Sequence, residues 1–115
     1  PFINELQTMK VALKIITDKK LGVLIARNKI GNTTGIITDG NIRRVGQKNK
    51  DIQSLIVKDV MTLNPISINS NSLAVKALSI MNEKKITSLC VNDNKNKKKT
   101  IGIIHIHNIL QANIV

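Results

Sequence analysis

Gly35-Ile36-Ile37-Thr38-Asp39-Gly40-Asn41-Ile42 and Gly102-Ile103-Ile104-His105-Ile106-His107-Asn108-Ile109 are one eight-residue phrase written twice in a chain of 115 residues. Further upstream, Ala12-Leu13-Lys14-Ile15-Ile16-Thr17-Asp18-Lys19-Lys20-Leu21 aligns with Ala77-Leu78-Ser79-Ile80-Met81-Asn82-Glu83-Lys84-Lys85-Ile86, and Pro1 corresponds to Pro65. The spacing drifts slightly between these blocks, and the second half carries the longer loop, Asp93 to Lys99. Self-similarity of this kind marks a repeat architecture. The chain is a duplication, and each half reads as strand, helix, strand, strand, helix.

In the first half Phe2-Ile3 is a short strand, and Asn4-Glu5-Leu6-Gln7 has the form of a capping box with Asn4 as N-cap. Met9, Ala12, Leu13 and Ile16 follow at helical spacing and predict an amphipathic helix laid on a sheet. Leu21 to Ala26 reads as a buried strand, Arg27 to Thr33 as a turn, and Thr34 to Thr38 as the next strand. A short helix starts in Asp39-Gly40-Asn41, with Ile42 and Val45 facing inward and Gly46 near its end. The second half mirrors this: strand Pro65 to Ile68, N-cap candidates Asn69 to Ser72, and a helix with Leu73, Ala74, Ala77, Leu78 and Met81 inward. Strands Ser88 to Val91 and Thr100 to His105 follow, then a closing helix with Ile109 and Leu110. Gln47 to Met61 connects the halves, with a helical turn around Ile52 to Ile56. Neither half has enough apolar surface to stand comfortably alone, so the two are expected to share a core.

A hydrophobic content of 42% with mean hydropathy near zero describes a globular chain and excludes a polar disordered tail. No apolar run approaches the roughly 20 residues that span a bilayer, so no membrane partner is expected. Starting at Pro1 rather than Met, directly before an apolar pair, the chain reads as a fragment. A single thiol, Cys90, forms no internal disulfide, consistent with a reducing cytoplasm, and its apolar neighbours Leu89 and Val91 read as packing. The net charge of +11 is spread along dispersed lysines, with Phe2 the sole aromatic, so single-strand nucleic acid is not the expected partner. Lys95 to Lys99 reads as an exposed hairpin loop. No nucleophile–base constellation, nucleophile elbow or Walker loop appears, so no catalytic residue is assigned.

Lys58-Asp59-Val60-Met61-Thr62-Leu63-Asn64-Pro65 resembles the opening of a CBS (cystathionine β-synthase) repeat, and the two eight-residue phrases resemble its G-x-x-[T/S]-x-x-[D/N] signature. The resemblance spans nearly the whole chain. "GIITDGNIRR" and "GIIHIHNIL" are similar to the CBS pair at the C-terminus of bacterial arabinose-5-phosphate isomerases. The resemblance implies an α/β fold of two βαββα CBS repeats packed as a pseudo-twofold pair. The expected division is 1–48 for the first repeat, 49–57 for a connecting segment and 58–115 for the second. It further implies a homodimer, a sugar-isomerase (SIS) catalytic domain elsewhere in the polypeptide, and a role in Kdo and lipopolysaccharide synthesis. The effector is a nucleotide, either an adenine nucleotide or a sugar nucleotide such as CMP-Kdo, and no cofactor is required.

In CBS repeats the residue at the fourth signature position contacts phosphate or ribose and the acid at the seventh holds the ribose hydroxyls. Carried onto this sequence, the resemblance assigns Thr38 and Asn41 to one site and His105 and Asn108 to the other. Arg44, Thr62 and Thr87 complete the candidate ligand-binding set. Arg43 and Arg44 offer bidentate phosphate contacts, or simply form a solvated face. Asn replaces the acid in both halves, and an amide has one acceptor oxygen where a carboxylate accepts from two hydroxyls. Losing one charge-assisted bond weakens such a contact by about 1.5–3 kcal/mol. Thr38 and Asn41 also suit helix capping. His105 and His107, two apart, fall on one face if the strand continues through them; with no third ligand nearby, lining a cleft or capping a helix is expected and a metal site is not.

Overall fold

The computed structural model describes residues 2–19, 22–48, 51–72 and 74–107. The chain divides into two compact units, Pro1–Pro65 and Ile66–Val115. Among the described residues each has its own cluster of buried side chains.

In the first unit, strand β1 (Phe2–Asn4) leads into helix α1 (Met9–Lys19), which crosses to β2 (Val23–Arg27), parallel to β1. Strand β3 (Thr33–Thr38) returns antiparallel and runs into α2 (Asp39–Lys48). A 3-10 turn (Ile52–Ser54), the short helix α3 (Val57–Val60) and β4 (Thr62–Leu63) follow, and β4 closes a sheet of order β1-β2-β3-β4. The α1 stripe is buried as its periodicity predicts: Met9, Ala12 and Ile16 pack with Leu24, Ala26 and Ile37. Val57, Val60 and Met61 join the same cluster, and Ile42 and Val45 of α2 pack against it.

Thus Lys58–Pro65, which the sequence reading places at the head of the second repeat, lies in the first unit. Main-chain hydrogen bonds hold it there. Met9 N–H donates to Leu55 O (2.7 Å), Val57 N–H to Gln7 O (2.8 Å) and Lys58 N–H to Glu5 O (2.8 Å), around a bridge between Thr8 and Ile56. This corrects the capping-box reading of Asn4–Gln7. Asn4 belongs to β1 and its Oδ1 accepts from Leu6 N–H (2.9 Å) in an Asx turn, while Leu55 satisfies the first amide of α1.

The second unit repeats the plan: β5 (Ser67–Asn69), α4 (Ala74–Lys84), β6 (Ser88–Asn92) and β7 (Thr100–His105), in sheet order β5-β6-β7. The registers correspond in detail. Asn4 faces Arg27 and Asn69 faces Asn92, and each hairpin has a bulge at the same place, Ala26/Arg27 and Val91/Asn92. Asn69, expected as an N-cap candidate, again makes an Asx turn, accepting from Asn71 N–H (3.0 Å). Ala77 and Met81 are buried on α4, with Ala74 and Leu78 packed beside them. Leu21, Leu73, Ile109 and Leu110 lie outside the described residues.

The two hairpin connections differ as their lengths suggest. In the first, Gly31 (φ +89°) allows a tight turn in which Asn28 Oδ1 accepts from Asn32 N–H at 2.9 Å. The longer Asp93–Lys99 loop is exposed from Asn94 to Lys99 and is pinned by Asp93 and Asn96, which accept from Lys95 N–H (2.7 Å) and Lys98 N–H (3.1 Å). At the end of α4, Lys85 takes a left-handed φ of 57° and Ile86 N–H reaches back to Met81 O (3.0 Å), a Schellman-type stop.

Gly35 is the tightest point of the first sheet: a Cβ there would lie 2.7 Å from Met61 Sδ and 2.7 Å from Thr62 O. Gly35→Ala is therefore expected to cost about 1–3 kcal/mol in urea unfolding, whereas Gly102→Ala, with nothing within 4 Å, causes no loss. Cys90 is buried, and burial pushes its thiol up from 9.0 to about 11, against a smaller opposing pull from a hydrogen bond with Thr100. The folded thiol holds its proton more tightly, so its contribution to stability is full below pH 9 and is lost as pH rises toward 11. At pH 8 a disulfide reagent is expected to label the native protein at least roughly a hundredfold more slowly than the unfolded chain, the difference in thiolate fraction.

Candidate ligand site

Asn41, on the first turn of α2, is 6% exposed and joins β3, α2 and β4. Its Oδ1 accepts from Thr38 N–H (2.8 Å) and from the Thr38 hydroxyl (2.9 Å). In return Thr38 Oγ1 accepts from Asn41 N–H (3.2 Å). This is a reciprocal capping box, with Thr38 as N-cap and Asn41 three residues on. Asn41 Nδ2 then donates to Thr62 Oγ1 (2.8 Å), tying β4 to the start of the helix.

An amide offers two lone pairs and two N–H groups. Both Oδ1 positions are taken by Thr38 and one Nδ2 proton by Thr62, so among the described residues one Asn41 donor is left without a partner. The oxygen that the sequence reading leaves for a ribose hydroxyl is already occupied. What remains suits an acceptor oxygen.

Arg44 lies one turn on, exposed, with its guanidinium folded back over the helix start. The Cβ position of Gly40 is 3.1 Å from Arg44 Nη1 and 3.5 Å from Thr38 Oγ1. Four of the candidate residues, Thr38, Asn41, Arg44 and Thr62, therefore meet at the N-terminus of α2, where backbone amides and the helix dipole favour negative charge.

In the second unit the corresponding phrase is built differently. His105 ends β7, and the chain turns at Ile106, whose N–H donates to Thr87 O (2.8 Å). His105 Nδ1 accepts from His107 N–H (3.2 Å), taking the capping role that Thr38 has in the first unit. The two imidazoles stack with centroids 4.7 Å apart and an 18° interplanar angle. The strand ends before His107, so the two side chains do not share a strand face as spacing alone suggested. Among the described residues no three His, Cys, Asp or Glu side chains converge on a metal position. Asn108 lies outside the described residues. Thr87 borders an apolar cavity of about 600 Å³ with Val75, Leu78, Met81, Ile86 and Ile106.

Sequence reasoning missed the stack of Arg27 on Phe2, with the guanidinium carbon 3.2 Å from the ring centroid. Among the described residues Arg27 Nε is buried without a hydrogen-bond partner, and its guanidinium meets the ring instead. No local signal marks it, because the pair is set by the β1–β2 register, which puts Phe2 opposite Ile25 and Arg27 two places along.

The profile of the CBS domain matches residues 57–114, half of the chain. The chain belongs to the CBS-domain family. Among curated proteins it is 36% identical over all 115 residues to an arabinose 5-phosphate isomerase, KdsD, of Salmonella typhimurium. It spans 34% of that relative's length. Among solved structures, CBSX2 in complex with AMP matches with a TM-score of 0.84 at 20% identity, covering 99% of this chain and 87% of that one. A CBS domain pair solved with 5-methylthioadenosine and S-adenosyl-L-methionine has a TM-score of 0.84 at 22% identity, covering 98% and 88%. The profile begins at Val57, in the last segment of the first unit, and runs on through the second, whereas these likenesses show the CBS-pair fold along both halves. Among the described residues no helix is long and apolar enough to cross a membrane.

Asn41→Ala removes the side-chain half of the capping box and the link to β4, leaving only the backbone N–H on Thr38 Oγ1, and is expected to cost about 2–3 kcal/mol in urea unfolding. Asn41→Asp keeps both Thr38 bonds and lets the Thr62 hydroxyl donate instead, so it should cost less than about 1 kcal/mol.

Proposed function

We propose that this CBS pair is the regulatory, ligand-sensing part of a cytoplasmic D-arabinose 5-phosphate isomerase serving Kdo and lipopolysaccharide synthesis. In this reading the SIS catalytic domain lies elsewhere in the polypeptide and the pair also helps form a homodimer. The observation that carries it is the match of all 115 residues, at 36% identity, to a protein named for that activity.

The effector is a nucleotide or sugar nucleotide, with Thr38 and Asn41, joined by Arg44 and Thr62, serving one site and His105 and Asn108, joined by Thr87, serving the other. Solved CBS proteins with AMP or S-adenosyl-L-methionine bound support a nucleotide in general. The chemistry of Asn41 supports a ligand rich in acceptor oxygens over one recognised by its ribose diol. One free amide proton beside the α2 N-terminus and Arg44 complements a phosphate or carboxylate. CMP-Kdo, with both groups, fits better than adenosine.

The same hydrogen bonds favour a second reading, in which Asn41 is wholly structural and the pair only assembles the enzyme. A thermal-shift panel of AMP, ATP, CMP, CMP-Kdo and arabinose 5-phosphate separates the two. A ligand at a hundred times its dissociation constant adds about 2.7 kcal/mol, roughly ten degrees for a domain of this size. A rise with CMP-Kdo that Arg44→Ala and Thr62→Ala both reduce is the expected result. No rise with any of the five leaves the assembly reading.

A further inference from the structure

The hairpin tips of the two repeats carry different charge. In the first, the connection between β2 and β3 holds one lysine, Lys29, beside the exposed Ile30. In the second, the connection between β6 and β7 is Asp93-Asn94-Lys95-Asn96-Lys97-Lys98-Lys99, and its four lysines are all exposed. The second unit as a whole has seven lysines and two acids, Glu83 and Asp93. Asp93, the one acid in the loop, accepts from Lys95 N–H through Oδ1 (2.7 Å). The loop backbone is fixed: Asp93 N–H donates to Lys99 O (2.8 Å), Lys99 N–H to Asn96 O (3.0 Å) and Lys98 N–H to Asn96 Oδ1 (3.1 Å). Like charges are thus gathered on a closed turn rather than spread along a free chain, which lowers the ordering entropy that binding has to overcome.

We propose that the Lys95–Lys99 loop is a docking surface for a short acidic segment of a partner protein, a run of about four to six Asp or Glu residues. The size of the loop sets that length: Lys95 to Lys99 spans at most roughly 13 Å, the reach of about four extended residues. Its side chains set the chemistry. An ammonium is a compact, hydrated point charge that suits carboxylates on flexible stems, whereas phosphate and nucleic acid are better held by the guanidinium fork, and the loop has no arginine. The bases of a single strand stack on aromatic rings, and the second unit has no Phe, Tyr or Trp. The net charge of +11 draws an acidic segment in, and the fixed loop gives it a place to dock. The loop joins β7 at Thr100, whereas the ligand candidate His105 ends that strand, so this surface is separate from the effector site.

The test follows the fluorescence anisotropy of a labelled hexaglutamate peptide titrated with the 115-residue chain at low ionic strength. One variant carries Lys95→Gln, Lys97→Gln, Lys98→Gln and Lys99→Gln together. A second carries Lys10→Gln, Lys14→Gln, Lys58→Gln and Lys76→Gln, exposed lysines elsewhere on the surface. Both lose four charges, so they differ only in where the charge is removed. The loop variant is expected to bind at least about tenfold more weakly with an unchanged melting temperature. The second variant should stay within about threefold of the unaltered chain, since its charges lie away from the peptide and are screened. Asn96→Ala keeps every charge but removes the acceptor for Lys98 N–H, and should weaken binding by roughly twofold. Equal losses in the two four-lysine variants overturn the proposal, because the field of the whole chain then does the binding. Tighter loop-dependent binding of hexauridylate or of phosphatidylserine vesicles than of hexaglutamate assigns the loop to phosphate and overturns it equally.

Discussion

The close approach of Met61 and Thr62 to the Gly35 backbone is the constraint on which the first unit turns. It requires a residue without a side chain in β3 and brings β4 to the sheet edge. It also places the Thr62 hydroxyl 2.8 Å from the Asn41 amide. Behind it, Leu55 to Lys58 is held by main-chain hydrogen bonds to the turn that opens α1, and Val57, Val60 and Met61 fill the space under α1 and β2. The segment that links the repeats is thereby core material of the first unit.

The site inherits its properties from that packing. A capping box alone would orient Asn41; its additional bond to Thr62 consumes one amide proton and defines what is left to offer a ligand. The second unit arrives at a helix start by other means, a histidine ring nitrogen accepting from a backbone amide and a second ring stacked on the first. Two copies of one phrase thus present different chemistry, a hydroxyl–amide cluster and an imidazole pair. Duplication has preserved registers, bulges and Asx turns while the polar contacts at the helix starts have diverged.

Much of the fold could be read locally. The stripes Met9–Ala12–Ile16 and Ala77–Met81 declare helices because burial on one face repeats every three or four residues, and strands β6 and β7 fall where short apolar runs put them. The repeat phrase also brought Thr38 and Asn41 to notice. Less legible were contacts whose partners are distant in sequence or stand across a strand pair. Asn4 looked like a helix cap because nothing in its neighbourhood shows that Leu55, far along the chain, supplies the first acceptor. The Thr62 partner of Asn41 and the ring beneath Arg27 were hidden for the same reason.

By itself the sequence determined the duplication, the order of elements and the candidate residues at each helix start, since these follow from periodicity and from short-range hydrogen bonding. Only the tertiary structure decided how many hydrogen bonds Asn41 has left, that Val57–Leu63 completes the first sheet, and that Gly35 is enclosed while Gly102 is open. The physical reason is that donor and acceptor capacity and free space at a residue depend on which distant segments reach it. Composition and spacing name the groups, but only packing allocates them.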